Sequence, residues 1–296
     1  ICFRLPGAQM GVGFRLGNEC DTYAEFKVFP TFGEVDGTTF KGAFIWAYGT
    51  QQLANWEQSD PSFRSVLVEA ENIGAGLKIP ALNGATLWGG KRLVYYNPDI
   101  HMLDYGFWEP AQGTGAGLDK VNVGIGKFSY AFFRVGEGDN TLAGTGDPDD
   151  PRFGFNPDIV RGGDRTYSIH DFRLQEVPVN PGGQIFAGFD FISPSKREGS
   201  DPAFPEGKKG YGLTVYHKQA DPFGLPGVHS LIFQYAKDAA TLRGAGFLGE
   251  TRSRNDWMLF NHWIFDPKPT PLPISGTLSV GIRRGKIDDP IAGETK

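Results

Sequence analysis

The chain has 296 residues, of which 29 are basic and 34 acidic, a net charge of -5. No basic surface is available to neutralise a phosphate backbone, so nucleic acid is not an expected partner. With 42 glycines and 14% aromatic residues the composition favours β architecture over helix, and no stretch approaches the ~18 apolar residues of a spanning helix.

A membrane role is then open only to a closed barrel of alternating strands, which a mean hydropathy of -0.30 does not oppose, because alternation averages out. The chain opens Ile1-Cys2 with no initiator Met, basic segment or apolar segment, so any secretion signal is expected outside it. Cys2 and Cys20 are the only cysteines. Joined, they would close a loop worth ~3 kcal/mol and imply an oxidising compartment; reduced, they would be ordinary thiols.

Period-2 runs bounded by turn residues predict about twelve strands. In chain order they lie near 22 to 30, 38 to 48, 64 to 73, 85 to 96, 117 to 125, 127 to 136, 167 to 178, 184 to 193, 210 to 218, 228 to 236, 256 to 266 and 274 to 284. No helix competes with them. In the first run Ala24, Phe26 and Val28 share a face, opposed by Tyr23, Glu25 and Lys27; in the last, Leu278, Val280 and Ile282 oppose Thr277, Ser279 and Arg283. In 256 to 266 both faces mix Trp, His and Asn, so the pattern does not orient it.

The connections alternate in length. Gly126 alone is read as the link between two runs and Asn180-Pro181-Gly182-Gly183 as a tight turn, whereas 97 to 116, 137 to 166 and 237 to 255 are long and rich in Gly, Asp and Pro. Short turns at one end and long loops at the other are the habit of outer-membrane barrels. A sandwich spaces its turns more evenly.

Four segments carry a resemblance: RLGNECDTYAEFKV (15 to 28), WEQSDPSFR (56 to 64), LWGGKRLVYYNPDIHMLDYGFWEP (87 to 110) with the following GAGLDKVNVGIGK, and HDFRLQEVPVNPGG (170 to 183). In collinear order they are similar to maltoporins, the carbohydrate-specific outer-membrane porins of bacteria. The resemblance implies an all-β, transmembrane antiparallel barrel, eighteen-stranded and trimeric, that passes maltodextrins or similar oligosaccharides by diffusion. Outer-membrane lipid and lipopolysaccharide would surround it, with no cofactor, metal or catalysis. Residues 1–296 would form a single partial barrel domain, running from the second strand to about the thirteenth and lacking the first strand and the C-terminal ones. Residues 1 to 20 would be the first surface loop, stapled by Cys2 and Cys20, and 97 to 116 a constriction loop folded inward.

By the same resemblance Tyr23 is a rung of the aromatic ladder on which sugars slide, and Trp56 the ring a neighbouring subunit holds over the channel mouth. Arg15, Glu25, Arg64, Asn97, Asp99, Asp104 and Glu109 form the polar track. The physics is general: pyranose C–H faces stack on rings, hydroxyls take bidentate polar partners, and flow needs many weak sites in series. The constriction departs from the family pattern. Asn97 stands where a basic residue is usual, as in a sucrose-porin relative, Gly106 where a tyrosine is usual, and Glu109 where an aspartate is usual. These changes argue against a strict preference for malto-oligosaccharides. Another aromatic rung falls near Val228 and is expected to be missing or displaced.

Rival chemistries have weaker support. Gly244, Gly246 and Gly249 satisfy GxGxxG without a following helix pattern. Asp147, Asp149 and Asp150 lack calcium-loop spacing. Asp99, Asp104 and Glu109 could pair as in a glycoside hydrolase, but they sit among polar loop neighbours with nothing to shield one of them. A soluble β-sandwich carbohydrate-binding module is the remaining alternative, and it would bury aromatics between two sheets.

Overall fold

Alternating side chains need a sheet with one face wet and one face dry, and the chain builds one. The computed structural model describes residues 22–50, 62–92, 113–136, 165–196, 208–240, 253–265, 276–289 and 294–295. Fourteen strands form one antiparallel sheet: β1 (Thr22–Val28), β2 (Thr31–Val35), β3 (Thr38–Thr50), β4 (Ser62–Glu71), β5 (Thr86–Arg92), β6 (Gly113–Asn122), β7 (Lys127–Gly136), β8 (Arg165–Asn180), β9 (Gly183–Lys196), β10 (Gly210–Ala220), β11 (Gly227–Lys237), β12 (Ser253–Phe265), β13 (Gly276–Asp289) and β14 (Glu294–Thr295).

Each of the twelve predicted runs is a strand; β2 and β14, short and unpatterned, raise the expected twelve to fourteen. The order is a meander in which chain neighbours pair, except that β2 is a side branch on β3 while β1 pairs β3 directly. Among the described residues the end strands β1 and β14 are not paired with each other.

Residues opposite one another in antiparallel strands share a face, so register carries each face across the sheet. The outer face is apolar and open: Phe26, Val28, Val68, Leu87, Phe189, Leu231, Phe233, Leu278, Val280 and Ile282 are all exposed. The inner face is buried and mixed, with Ser65, Trp88, Asp171, Arg173, Tyr216, Gln234 and Asp256. No second sheet covers it among the described residues, which is the form of a barrel wall curving on itself and not of a sandwich. The faces of β12 are also settled: Asp256, Phe260 and His262 point inward and are buried, while Leu259 points outward and is exposed.

The strand ends differ less sharply than expected. At one end the connections are Asp36-Gly37, both at positive φ as a two-residue hairpin turn requires, the four residues 123–126, Pro181-Gly182 and 221–226, together with the longer 72–85 and 266–275. The link between β6 and β7 is therefore longer than Gly126 alone: Val123 donates its amide to the Gly126 carbonyl at 3.1 Å. At the other end β3–β4, β5–β6, β7–β8, β9–β10 and β11–β12 are joined by 51–61, 93–112, 137–164, 197–209 and 238–252, most of which lie outside the described residues.

The expectation of no helix fails over five residues. Helix α1 (Ile73–Leu77) follows β4 in the 72–85 connection, too short for a 3.6-residue period to register. Asn72 in the left-handed region starts it and holds the hairpin beside it, its Nδ2 donating to the Gly37 carbonyl at 3.0 Å and its Oδ1 accepting from the Gly84 amide at 2.8 Å. Gly74 fits because a Cβ there would lie 2.3 Å from backbone atoms of Leu82 and Asn83.

Candidate functional site

The inner face of β1 to β6 is a field of half-open charges. On β1, Glu25 and Lys27 stand opposite Ala47 and Ile45, so both share the inner face, as the alternation predicts, and the Tyr23 backbone pairs with Gly49. Lys27 Nζ lies 2.6 Å from Glu25, whose side chain is 16% exposed. Lys41 Nζ lies 2.6 Å from Glu71, and Arg92 reaches Glu69 at 3.5 Å and Asp119 at 3.7 Å. The Arg92 guanidinium also lies 4.7 Å from the centre of the Trp88 ring. These groups keep 15% to 48% of their side chains open, enough for a passing hydroxyl to exchange with a salt-bridge partner.

On β8 to β12 the same face also carries fully buried polar groups. Asp171 stands opposite Asp190, and Arg173 donates to Asp171 through Nε at 2.6 Å and a terminal nitrogen at 3.1 Å; all three side chains are buried. Gln234 donates to the Thr214 hydroxyl at 3.1 Å, and Arg283 Nε lies 3.2 Å from both oxygens of buried Asp256. Toward the short-turn end the wall becomes aromatic: Phe186 and Tyr216 stack at 4.6 Å and 4°, packed with Ile232 and Phe260. Asp171 and Asp256 are each matched by an arginine within the wall, which is what keeps their desolvation tolerable.

Glycine makes room for the large inner residues. Gly281 stands opposite Phe260, and a Cβ there would meet the ring at 2.5 Å. The pairing of bulk with absence of bulk is the known way small barrels fill a taper.

Of the predicted site residues, Glu25 and Arg64 are described, and Tyr23 is placed through its backbone. Arg64 is the extra residue of a β-bulge, between the pairs Ile45–Ser65 and Trp46–Phe63. A bulge re-aims a side chain at a sheet edge or rim. Val228 takes the inner face beside Ser230 in β11 and carries no ring; the rings of that wall belong to Phe186, Tyr216 and Phe260. Arg15, Trp56, Asn97, Asp99, Asp104, Gly106, Glu109, Cys2 and Cys20 lie outside the described residues, as do the glycines of 244–249 and the aspartates of 147–150. Sequence reading passed over Lys41, Glu69, Glu71, Arg92 and Asp119, although the spacing of Glu69 and Glu71 already put both on one face.

The arrangement of an apolar outer face and a polar inner face on one antiparallel sheet of meandering strands is that of a membrane channel wall. The family model described as LamB porin matches residues 1–269. The chain belongs to the LamB porin family. The porin is thus a sugar-selective channel of the bacterial outer membrane, from a family of channels and not of enzymes. Among its described residues no helix is long and apolar enough to cross a membrane. Strands do the crossing, and the exposed residues of β1, β4, β9, β11 and β13 supply the band that faces lipid. Rings mark both margins of this band: Tyr211 and Tyr235, 6.0 Å apart, toward the long loops, and Trp263 with Phe223 and Phe265 toward the short turns.

Proposed function

We propose that this porin passes maltodextrins or similar oligosaccharides by passive diffusion, as a homotrimer surrounded by outer-membrane lipid and lipopolysaccharide. Sugar rings slide over Tyr23 and over Trp56 of a neighbouring subunit. Their hydroxyls exchange among Arg15, Glu25, Arg64, Asn97, Asp99, Asp104 and Glu109. The loop 97 to 116 folds inward with Gly106 at the constriction, and Cys2 with Cys20 closes the first surface loop, residues 1 to 20.

The observation that supports this most is the contrast between the two halves of the inner wall. Charges on β1 to β6 are paired but open, as with Glu25 at 16% and Lys27 at 48%, whereas Asp171 and Arg173 on β8 are sealed. Exchange with a hydroxyl needs an open pair, because a sealed one would have to give up buried hydrogen bonds first. The polar track therefore belongs on β1 to β6, where Glu25 and Arg64 stand.

The test is ion current through single channels in a planar bilayer, titrated with maltose, sucrose and longer maltodextrins. Saturable block by sugar is expected. A current indifferent to all of them, in a channel that conducts ions, would overturn the assignment.

A further inference from the structure

Open charges on the inner face of β1 to β6 gather at two heights. Near the long-loop end stand Glu25 and Lys27, opposite Ala47 and Ile45 of β3. A second group begins at Lys41, six residues along β3 from Ala47, which is roughly 20 Å at ~3.3 Å per residue. Ala43, Leu67 and Ser65 occupy the same face between the two.

Register assembles the second group from four strands. Lys41, Glu69, Trp88 and Gly117 form one row across β3 to β6, and Thr39, Glu71, Thr86 and Asp119 form the next, beside the Asp36-Gly37 turn. Two cations tie the rows together. Lys41 Nζ lies 2.6 Å from Glu71. Arg92, the last residue of β5, lies back over Trp88 at 4.7 Å from the ring centre, with one terminal nitrogen 3.5 Å from Glu69 and the other 3.7 Å from Asp119.

This fork differs from the arginine of β8. Arg173 closes on Asp171 at 2.6 Å with both side chains sealed, whereas Arg92, Glu69 and Asp119 keep 15% to 21% of their side chains open. Arg92 can turn one N–H toward a hydroxyl without losing its place, because the indole beneath it and the second carboxylate still hold the guanidinium. A hydroxyl both donates and accepts. Adjacent hydroxyls of a pyranose therefore match the group, one donating to Glu69 or Asp119 while its neighbour accepts from Arg92. Lys41 and Glu71, at 38% and 39% open, offer the same combination one row nearer the turn.

We propose that Lys41, Glu69, Glu71, Arg92 and Asp119 form a second sugar-binding station of the channel, at its periplasmic end, that takes adjacent hydroxyls of the leading pyranose of a chain. The station rests on the sugar-channel reading, with the short-turn end of such a barrel facing the periplasm. None of the five is among the residues matched to the family's polar track. Two weak stations in series let a chain take hold of the second before it leaves the first. That favours chains long enough to reach both, and neither station traps them.

The test is the sugar concentration that halves single-channel ion current in a planar bilayer, measured with maltose and with maltoheptaose. The wild-type porin should be blocked by the long chain at a concentration about tenfold or more below that for maltose, because only the long chain engages both stations. Lys41→Gln with Glu71→Gln, and separately Arg92→Gln, should raise the maltoheptaose value about fivefold or more and the maltose value no more than about twofold, since the first station remains. Arg92→Lys keeps the charge without the fork that spans two carboxylates and should fall between. A wild-type current indifferent to both sugars would sink the channel reading and the station with it. Wild-type block that is independent of chain length, or a chain-length margin left intact in the glutamine variants, would remove the station alone. The Lys41 and Glu71 changes touch only side chains more than a third exposed, so that variant decides if Arg92→Gln does not fold.

Discussion

Trp88 lies flat against Gly117, the residue opposite it on the neighbouring strand, so closely that a Cβ on Gly117 would stand 2.5 Å from the indole Nε1. The indole also packs against Phe133 at 5.4 Å and carries Arg92 over its face. It thereby joins the aliphatic centre of the wall to its open, charged half. Gly117→Ala should overpack this contact and cost about 1–3 kcal/mol. Gly89→Ala on β5 should cost far less, because the nearest atom to its Cβ would be 4.0 Å away. The temperature at which the folded barrel loses its compact electrophoretic mobility measures both, and equal shifts would remove the packing argument.

Two ion pairs of the inner face should respond unequally. Arg173 is sealed between Asp171 and Asp190, so Arg173→Met leaves two facing carboxylates without a cation and should cost about 3–5 kcal/mol. Arg283 keeps 42% of its side chain exposed, so solvent can take over part of its task at Asp256 and Arg283→Met should cost less. Thermal unfolding of the two variants in one detergent gives the ranking.

Facing direction on β13 is open to a direct test. Ile282 is 63% exposed on the lipid side, while its neighbour Arg283 reaches inward to Asp256. Ile282→Arg should destabilise the barrel folded into vesicles by about 2–4 kcal/mol, the usual penalty for an arginine facing lipid near the midplane. A neutral result would mean that this face meets protein or water.

Sugar affinity should depend on Glu25. A hydrogen bond to a charged acceptor is worth about 1.5–3 kcal/mol. Glu25→Gln should therefore raise the sugar concentration that halves the ion current by about tenfold or more, with little change in conductance without sugar. Unchanged block would take Glu25 out of the track.

Gly106 is proposed for the constriction, where a ring would fill volume that glycine leaves open. Gly106→Tyr should lower single-channel ion conductance and shift preference from disaccharides toward longer maltodextrins, which gain from an unbroken run of rings. Conductance equal to that of the wild type would place Gly106 away from the narrowest point.

The strands were legible because alternation is a local property: Tyr23 to Val28 and Thr277 to Arg283 each announce both faces within a few residues, and the structure keeps those faces. Where both faces hold large or polar groups, as in 256 to 266, alternation carries no direction, and only pairing with β11 and β13 turned Asp256 inward and Leu259 outward. Helix α1 escaped because five residues hold too little of a helical period.

The sequence by itself determined the class of fold and, through the alternation around Glu25, which residues of the first strand take the polar face. Tertiary structure alone decided which charges meet. Lys41 and Glu71 are thirty residues apart, and Asp256 and Arg283 are separated by the β12–β13 connection; register across strands makes each a pair. Hydrogen-bond register between strands is set by the whole sheet at once, so neighbours on a barrel wall are invisible until the sheet is formed.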